Sequence, residues 1–188
     1  MSGPPAWYVA LVAGFGAQRL RELAISRRHE RALRGRRARQ AARGRYPLIV
    51  AAHLGLCTLP LLEAAVRGRR SRAPLLWIGV LAGAGALRWW SIRTLGESWN
   101  GRAIVPEDLR PVSAGPYRLV RHPNYLAVAA EFLALPLAGG AGWSALGLSA
   151  VNALLLADRI AAEERLLASV PGYEEAFRGR ARLIPGLF

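Results

Sequence analysis

The chain has 188 residues, 53% of them hydrophobic, and a formal net charge of +14; its 26 basic residues are all arginine. A soluble domain would gather that apolar content into one core, whereas here it falls into uncharged runs separated by arginine clusters, the distribution of a polytopic membrane protein. The single cysteine, Cys57, excludes an intrachain disulfide and any multi-cysteine metal site, and inside an apolar run it reads as a small packing residue.

In chain order, no charged side chain precedes Arg19 and no basic residue stands ahead of the apolar stretch, as one would in a signal peptide. Residues 4–20 therefore read as a retained first span, followed by a basic amphipathic or irregular surface segment over 27–45 lying on anionic headgroups. The second span covers 46–66, interrupted by His53 and Glu63, and the third covers 73–92, with Gly79 and Gly83 spaced for close helix contact. Between Arg121 and Asp158 the only charge is Glu131; these 36 residues are too long for one span, and Gly139-Gly140-Ala141-Gly142 divides them into 124–138 and 141–157. At about 1.5 Å per residue, each half barely crosses a hydrocarbon core of about 30 Å. The expected fold is all-α, one polytopic membrane domain over 1–188 with about five transmembrane helices and a C-terminal helical cap in the cytoplasm. Arginine counts set the orientation: 11 in segment 19–45, five in 93–121 and five in 158–188, against four in the 67–72 loop. That imbalance places the three large segments in the cytoplasm and the N-terminus outside.

The densest chemistry lies in Gly115-Pro-Tyr-Arg-Leu-Val-Arg-His-Pro-Asn-Tyr125. Tyr117, Arg118, Arg121, His122 and Asn124 crowd a loop stiffened by two prolines, at the start of an apolar run. On the far side of that run comes Arg159-Ile-Ala-Ala-Glu163-Glu164. Taken singly, each residue also reads as a headgroup anchor, and Arg159 with Glu163, four apart, as a surface salt bridge.

As an ordered set, the two motifs resemble the RHPxY loop and terminal Glu-Glu of the isoprenylcysteine carboxyl methyltransferase family and its phospholipid N-methyltransferase relatives, over residues 90–188. The resemblance implies an integral-membrane enzyme that binds S-adenosylmethionine with its 95–188 half, through His122, Pro123, Tyr125, Glu163 and Glu164. It also implies a catalytic role for Arg159. Methyl transfer from a sulfonium needs mainly a pocket that positions the donor, and lipid-exposed backbone confines such a pocket to the cytoplasmic helix ends. There Arg121 offers donors and Tyr117 an aromatic wall for a cation. The stretch from Pro171 to Pro185 resembles the family's closing pattern, Phe177 replacing a tyrosine. This suggests a short helix packed back over the pocket, with Arg182 near the acceptor.

The N-terminal segments Arg19–His29 and Gly44–Pro47, with His53, Glu63 and Leu95–Asn100, look like a bacterial subfamily partnered with type III polyketide synthases. Those enzymes O-methylate long-chain alkylpyrones or alkylresorcinols. Such an acceptor would lie with its tail among the helices and its hydroxyl at headgroup depth, facing the inner membrane's cytoplasmic side. Polar residues inside a membrane are costly, which makes Glu22, His53, Glu63, Arg88 and Glu131 candidates for the acceptor site, Glu131 as a possible base. Alternatively His53 bonds a neighbouring helix, and Glu63 and Arg88 snorkel to an interface. Other readings are a prenylcysteine carboxylate or phospholipid amine as acceptor, or a non-enzymatic membrane scaffold or polyanion binder. The arginines cluster where topology requires them, so no nucleic-acid partner is expected, and no metal.

Overall fold

The computed structural model describes residues 3–33, 37–41 and 43–184. The chain is 71% helical, an all-α membrane protein. Its long helices are α1 (Ala6–Ala32), α2 (Tyr46–Arg67), α3 (Pro74–Leu95), α4 (Pro123–Ala138) and α5 (Gly142–Leu167), with a single turn, α6 (Tyr173–Ala176), after them. Helices α2, α3 and α5 are each long and apolar enough to cross a membrane, and α4 is apolar but only 16 residues long.

Proline starts three of these helices: Pro47, Pro74 and Pro123 occupy first-turn positions, where the missing N–H would have no helical partner anyway. Gly68, in the left-handed region at φ 60°, closes α2. The glycines after α4 are fixed by contact. A Cβ on Gly139 would lie 2.2 Å from the Tyr8 ring, and one on Gly140, at φ 82°, would lie 2.7 Å from the Arg70 and Ser71 backbone. Tyr8 packs into that gap and donates its hydroxyl to the Leu135 carbonyl at 3.0 Å, tying α1 to α4. Around it the core is built from Leu56, Phe132 and Leu135, all fully buried.

Helices α2 and α5 run antiparallel in a register fixed at both ends. Arg45 pairs with Asp158 at 3.2 Å, Gly55 lies against Leu148, and Glu63 accepts from the Ser144 and Trp143 amides at 2.6 and 3.1 Å. Glu63 thus caps the first turn of α5 and stands at the opposite end from the predicted acceptor site.

Three local features differ from expectation. α1 runs past residue 20 to Ala32 because nothing breaks it and Arg19–Glu22 and Ser26–Glu30 pair along it. The 27–45 segment, beyond that helical end, contributes a strand β1 (Ala38–Gln40), antiparallel to β2 (Ile104–Pro106) with Arg39 opposite Val105. A Cβ on Gly79 or Gly83 would meet nothing within 4 Å, so the close helix contact expected there is not made among the described residues. Pro185 of the tail pattern lies outside the described residues.

Candidate functional site

A cavity of about 520 Å³ lies where the 95–117 connection, the loop before α4 and the chain after α5 meet the ends of α1, α2, α4 and α5. That volume lies within the range of small-molecule sites. Its polar end is organised by Tyr125, in the first turn of α4. The phenol is buried, donates to Glu163 Oε2 and accepts from Arg159 Nε at 2.7 Å. Arg159 also donates from Nη2 to the Gly101 carbonyl at 2.6 Å, while its guanidinium lies 5.4 Å from the centre of the Tyr125 ring. These two bonds leave its Nη1 without a hydrogen bond to the described residues, and the residue lines the cavity. The His122 ring stacks on Tyr125 at 5.4 Å between centroids.

The adjacent glutamates point in different directions because consecutive helical residues are about 100° apart. Glu163 faces the cavity, whereas Glu164 gathers basic side chains from the loop and the tail: Arg182 Nε at 2.7 Å, His122 Nε2 at 3.4 Å and Arg121 Nη1 at 3.8 Å. Backbone bonds strengthen this clamp, since the Arg121 and His122 amides donate to the Ala181 and Arg182 carbonyls, both at 2.9 Å. Arg121 Nε adds a bond to the Arg180 carbonyl, and Arg180 Nη1 returns one to the Tyr117 carbonyl at 2.6 Å. The tail then covers the cavity with Tyr173 and Phe177, whose rings lie 4.8 Å apart, as the short covering helix predicts. Burial, with Glu163 nearby, pushes the Tyr117 phenol up, and burial does the same to Tyr173, so both remain protonated at neutral pH.

Below this end, α1, α3 and α4 share a buried set of four charges. Arg19 forks onto both Glu131 oxygens at 3.2 and 3.3 Å and reaches Glu22 at 2.9 Å; Arg88 Nε donates to the other Glu22 oxygen at 2.8 Å. Two arginines and two glutamates cancel. Arg19, Glu22 and Arg88 line the cavity, whereas Glu131, with 1% of its side chain exposed, lies behind Arg19. The geometry makes Glu131 a counter-ion to Arg19 and Arg88. Arg182 likewise is spent on the clamp. Pro123 is buried at the start of α4, setting the angle at which Tyr125 enters. His53 lines the cavity from α2, its Nδ1 bonded within its own helix to the Ile49 carbonyl.

The structure adds residues with weak sequence signals. Asn100 grips the turn that follows it, donating to the Ile104 carbonyl at 2.9 Å and accepting from its amide at 2.8 Å, and Ala103 within that turn takes φ 52°. Gly101 is needed small, since a Cβ there would meet Ser26 Oγ at 3.2 Å. Tyr46, Trp99 and Asn152 also line the cavity. Tyr46, Trp99 and Asn100 fall within the segments that carry the subfamily resemblance, and Asn152 is a polar residue in an apolar run.

The apolar end is lined by Leu20, Val50 and Leu54, which are also exposed large hydrophobic residues of α1 and α2, so the cavity reaches the outer surface between these helices. As a container for a zwitterionic, adenine-bearing cofactor the polar end fits: it presents cations, a carboxylate and aromatic faces. Asn124 Oδ1, buried in its wall, lacks a hydrogen-bond partner among the described residues.

Residues 77–169 match the family model of the isoprenylcysteine carboxyl methyltransferase family. Along most of its length the chain is similar to two bacterial proteins. It is 30% identical to the uncharacterized protein YpbQ of Bacillus subtilis over 160 residues, covering 84% of this chain and 94% of that one. It is 29% identical to an uncharacterized protein of Haemophilus influenzae over 154 residues, 81% of this chain and 90% of that one.

Proposed function

Because the chain belongs to the isoprenylcysteine carboxyl methyltransferase family and is a membrane methyltransferase, we propose that it transfers a methyl group from S-adenosylmethionine to a ring hydroxyl of an amphipathic polyketide, a long-chain alkylpyrone or alkylresorcinol. The observation that carries this reading is the cavity itself, charged and aromatic at one end and walled at the other by Leu20, Val50 and Leu54 at the outer surface. A ring with a long alkyl tail matches both ends. Each CH₂ buried contributes about 0.8 kcal/mol, so the tail supplies most of the affinity.

S-Adenosylmethionine, when bound, supplies an activated methyl on a sulfonium. Tyr117, Tyr125, His122, Arg121 and Glu163 would form the wall that holds it, supplying aromatic rings for the cation and donors for its carboxylate and ribose. Glu164 acts from behind that wall by holding loop and tail together. Arg159, fixed by two hydrogen bonds, directs its remaining donors at the acceptor oxygen. Such fixed positioning is the main resource available to a methyltransferase. The site faces the cytoplasm in this reading, and a type III polyketide synthase is the class of enzyme that would supply the acceptor. Mass spectrometry of lipids from cells with and without the gene tests the proposal. A species one CH₂ heavier should disappear with the gene, and unchanged alkylpyrone and alkylresorcinol profiles would overturn the acceptor assignment.

A further inference from the structure

Given the hydroxyl-bearing acceptor proposed above, we propose that His53 Nε2 takes the hydroxyl proton and that Asn152 orients the acceptor ring beside it.

His53 stands seven residues into α2, about 10 Å below the helix end at Tyr46. The antiparallel register set by Arg45–Asp158 and Gly55–Leu148 brings Asn152 of α5 to the same depth. Contact between Gly16 and Cys57 brings Arg19 and Leu20 of α1 there as well. All of these residues except Arg45, Gly55, Leu148 and Asp158 line the cavity. The site is therefore a polar layer within an apolar section, where a side chain without a partner is costly and asks for a ligand.

The tautomer of His53 follows from its neighbour. Nδ1 lies 2.8 Å from the Ile49 carbonyl, which can only accept, so Nδ1 carries the hydrogen and the lone pair of the neutral ring sits on Nε2. The ring is held edge-to-face against Phe132 at 5.1 Å, which fixes its plane. Nε2 itself has no hydrogen-bond partner among the described residues, and neither has the side chain of Asn152, which is buried and lines the cavity. One nitrogen that can only accept and one amide that can donate make a pair suited to a hydroxyl and a second ring oxygen.

The charges facing this layer are Arg19 and Glu22 from α1, Arg88 from α3, Glu131 from α4 and Arg159 from α5. The first four neutralise one another, leaving Arg159 to favour an oxygen anion. In the step, the acceptor O–H bond breaks, Nε2–H forms and the electron pair stays on the oxygen, ready to attack. The proton returns to water through the polar end. A carboxylate acceptor carries no such proton, so this step is needed for a hydroxyl and idle for a carboxylate.

The test needs no cofactor. An alkyl nitrophenol, whose anion absorbs visible light, is bound to purified wild-type protein at neutral pH alongside its O-methyl ether as a binding control. Wild type should raise the bound anion fraction several-fold over detergent alone, and His53→Gln should abolish that rise while binding the ether normally. An equal anion fraction in His53→Gln and wild type would overturn the proposal. The wild type gives an independent readout through nitrogen-15 spectra of its three histidines. Binding of the phenol should convert one ring from singly to doubly protonated, and no such conversion would overturn the assignment even if the variant cannot be purified. If wild type binds neither phenol nor ether, the hydroxyl-acceptor reading falls and this assignment with it. Binding without ionisation removes the role of His53 alone.

Discussion

Arg159 and Glu163 are four apart on one helix, and the spacing alone suggests a direct surface pair. In the structure the Tyr125 hydroxyl stands between them, so the same two side chains reach into the cavity and fasten α4 to α5. Sequence spacing cannot show this, because the third partner comes from another helix. It likewise cannot separate Glu163, on the cavity wall, from Glu164, which faces the tail. Arg159→Ala should reduce turnover far more than cofactor affinity, and Arg159→Lys should not restore it, since one ammonium cannot serve both the Tyr125 hydroxyl and the Gly101 carbonyl. Full activity in Arg159→Ala would exclude the role given to it. Alanine at His122 or Glu164 should each weaken binding of S-adenosylmethionine about tenfold or more in calorimetry, roughly 1.4 kcal/mol or above. Glu164→Ala should in addition expose the tail to protease, an effect that His122→Ala should produce more weakly because Arg182 still pairs with Glu164.

Element by element, the helices with long apolar runs were the most legible: the expected ends at 66, 92 and 138 lie within a few residues of those observed. The glycine break between α4 and α5 was legible too, but not why two successive glycines are needed there; that depends on Tyr8 and on the Arg70–Ser71 backbone, both distant in sequence. β1 left no sequence signal because three residues among arginines have no period to read, and it exists only through pairing with β2. Gly139→Ala tests the α4–α5 turn directly. Its Cβ would displace the Tyr8 ring and break the bond to Leu135, lowering the unfolding temperature in detergent, whereas Gly79→Ala, open on all sides, should leave it unchanged or slightly raised. Shortening Tyr8 to alanine in the Gly139→Ala background should return part of the loss, and no recovery would show that backbone crowding elsewhere dominates.

On the scale of the whole molecule, the four-charge cluster joins α1, α3 and α4 through largely buried side chains. Composition could place these residues in the membrane but not pair them, so sequence suggested a reactive Glu131 where the fold holds it as a counter-ion. Removing one member strands a buried opposite charge, and Glu131→Ala should cost about 3–5 kcal/mol of stability by thermal unfolding. Combining it with Arg19→Met should recover much of that loss. The arginine imbalance predicts that reporters fused after Arg39 and at Phe188 lie on one side of the membrane and a reporter in the 67–72 loop on the other. A disagreement between the first two would mean an odd error in the number of spans. The backbone bonds from Ala181 and Arg182 to the loop before α4 have a consequence for biosynthesis. All five long helices are translated before those carbonyls exist. A nascent chain can therefore be inserted in the bilayer with its roof still inside the ribosome, so catalytic competence should arrive in one step, late in translation, rather than growing with each helix.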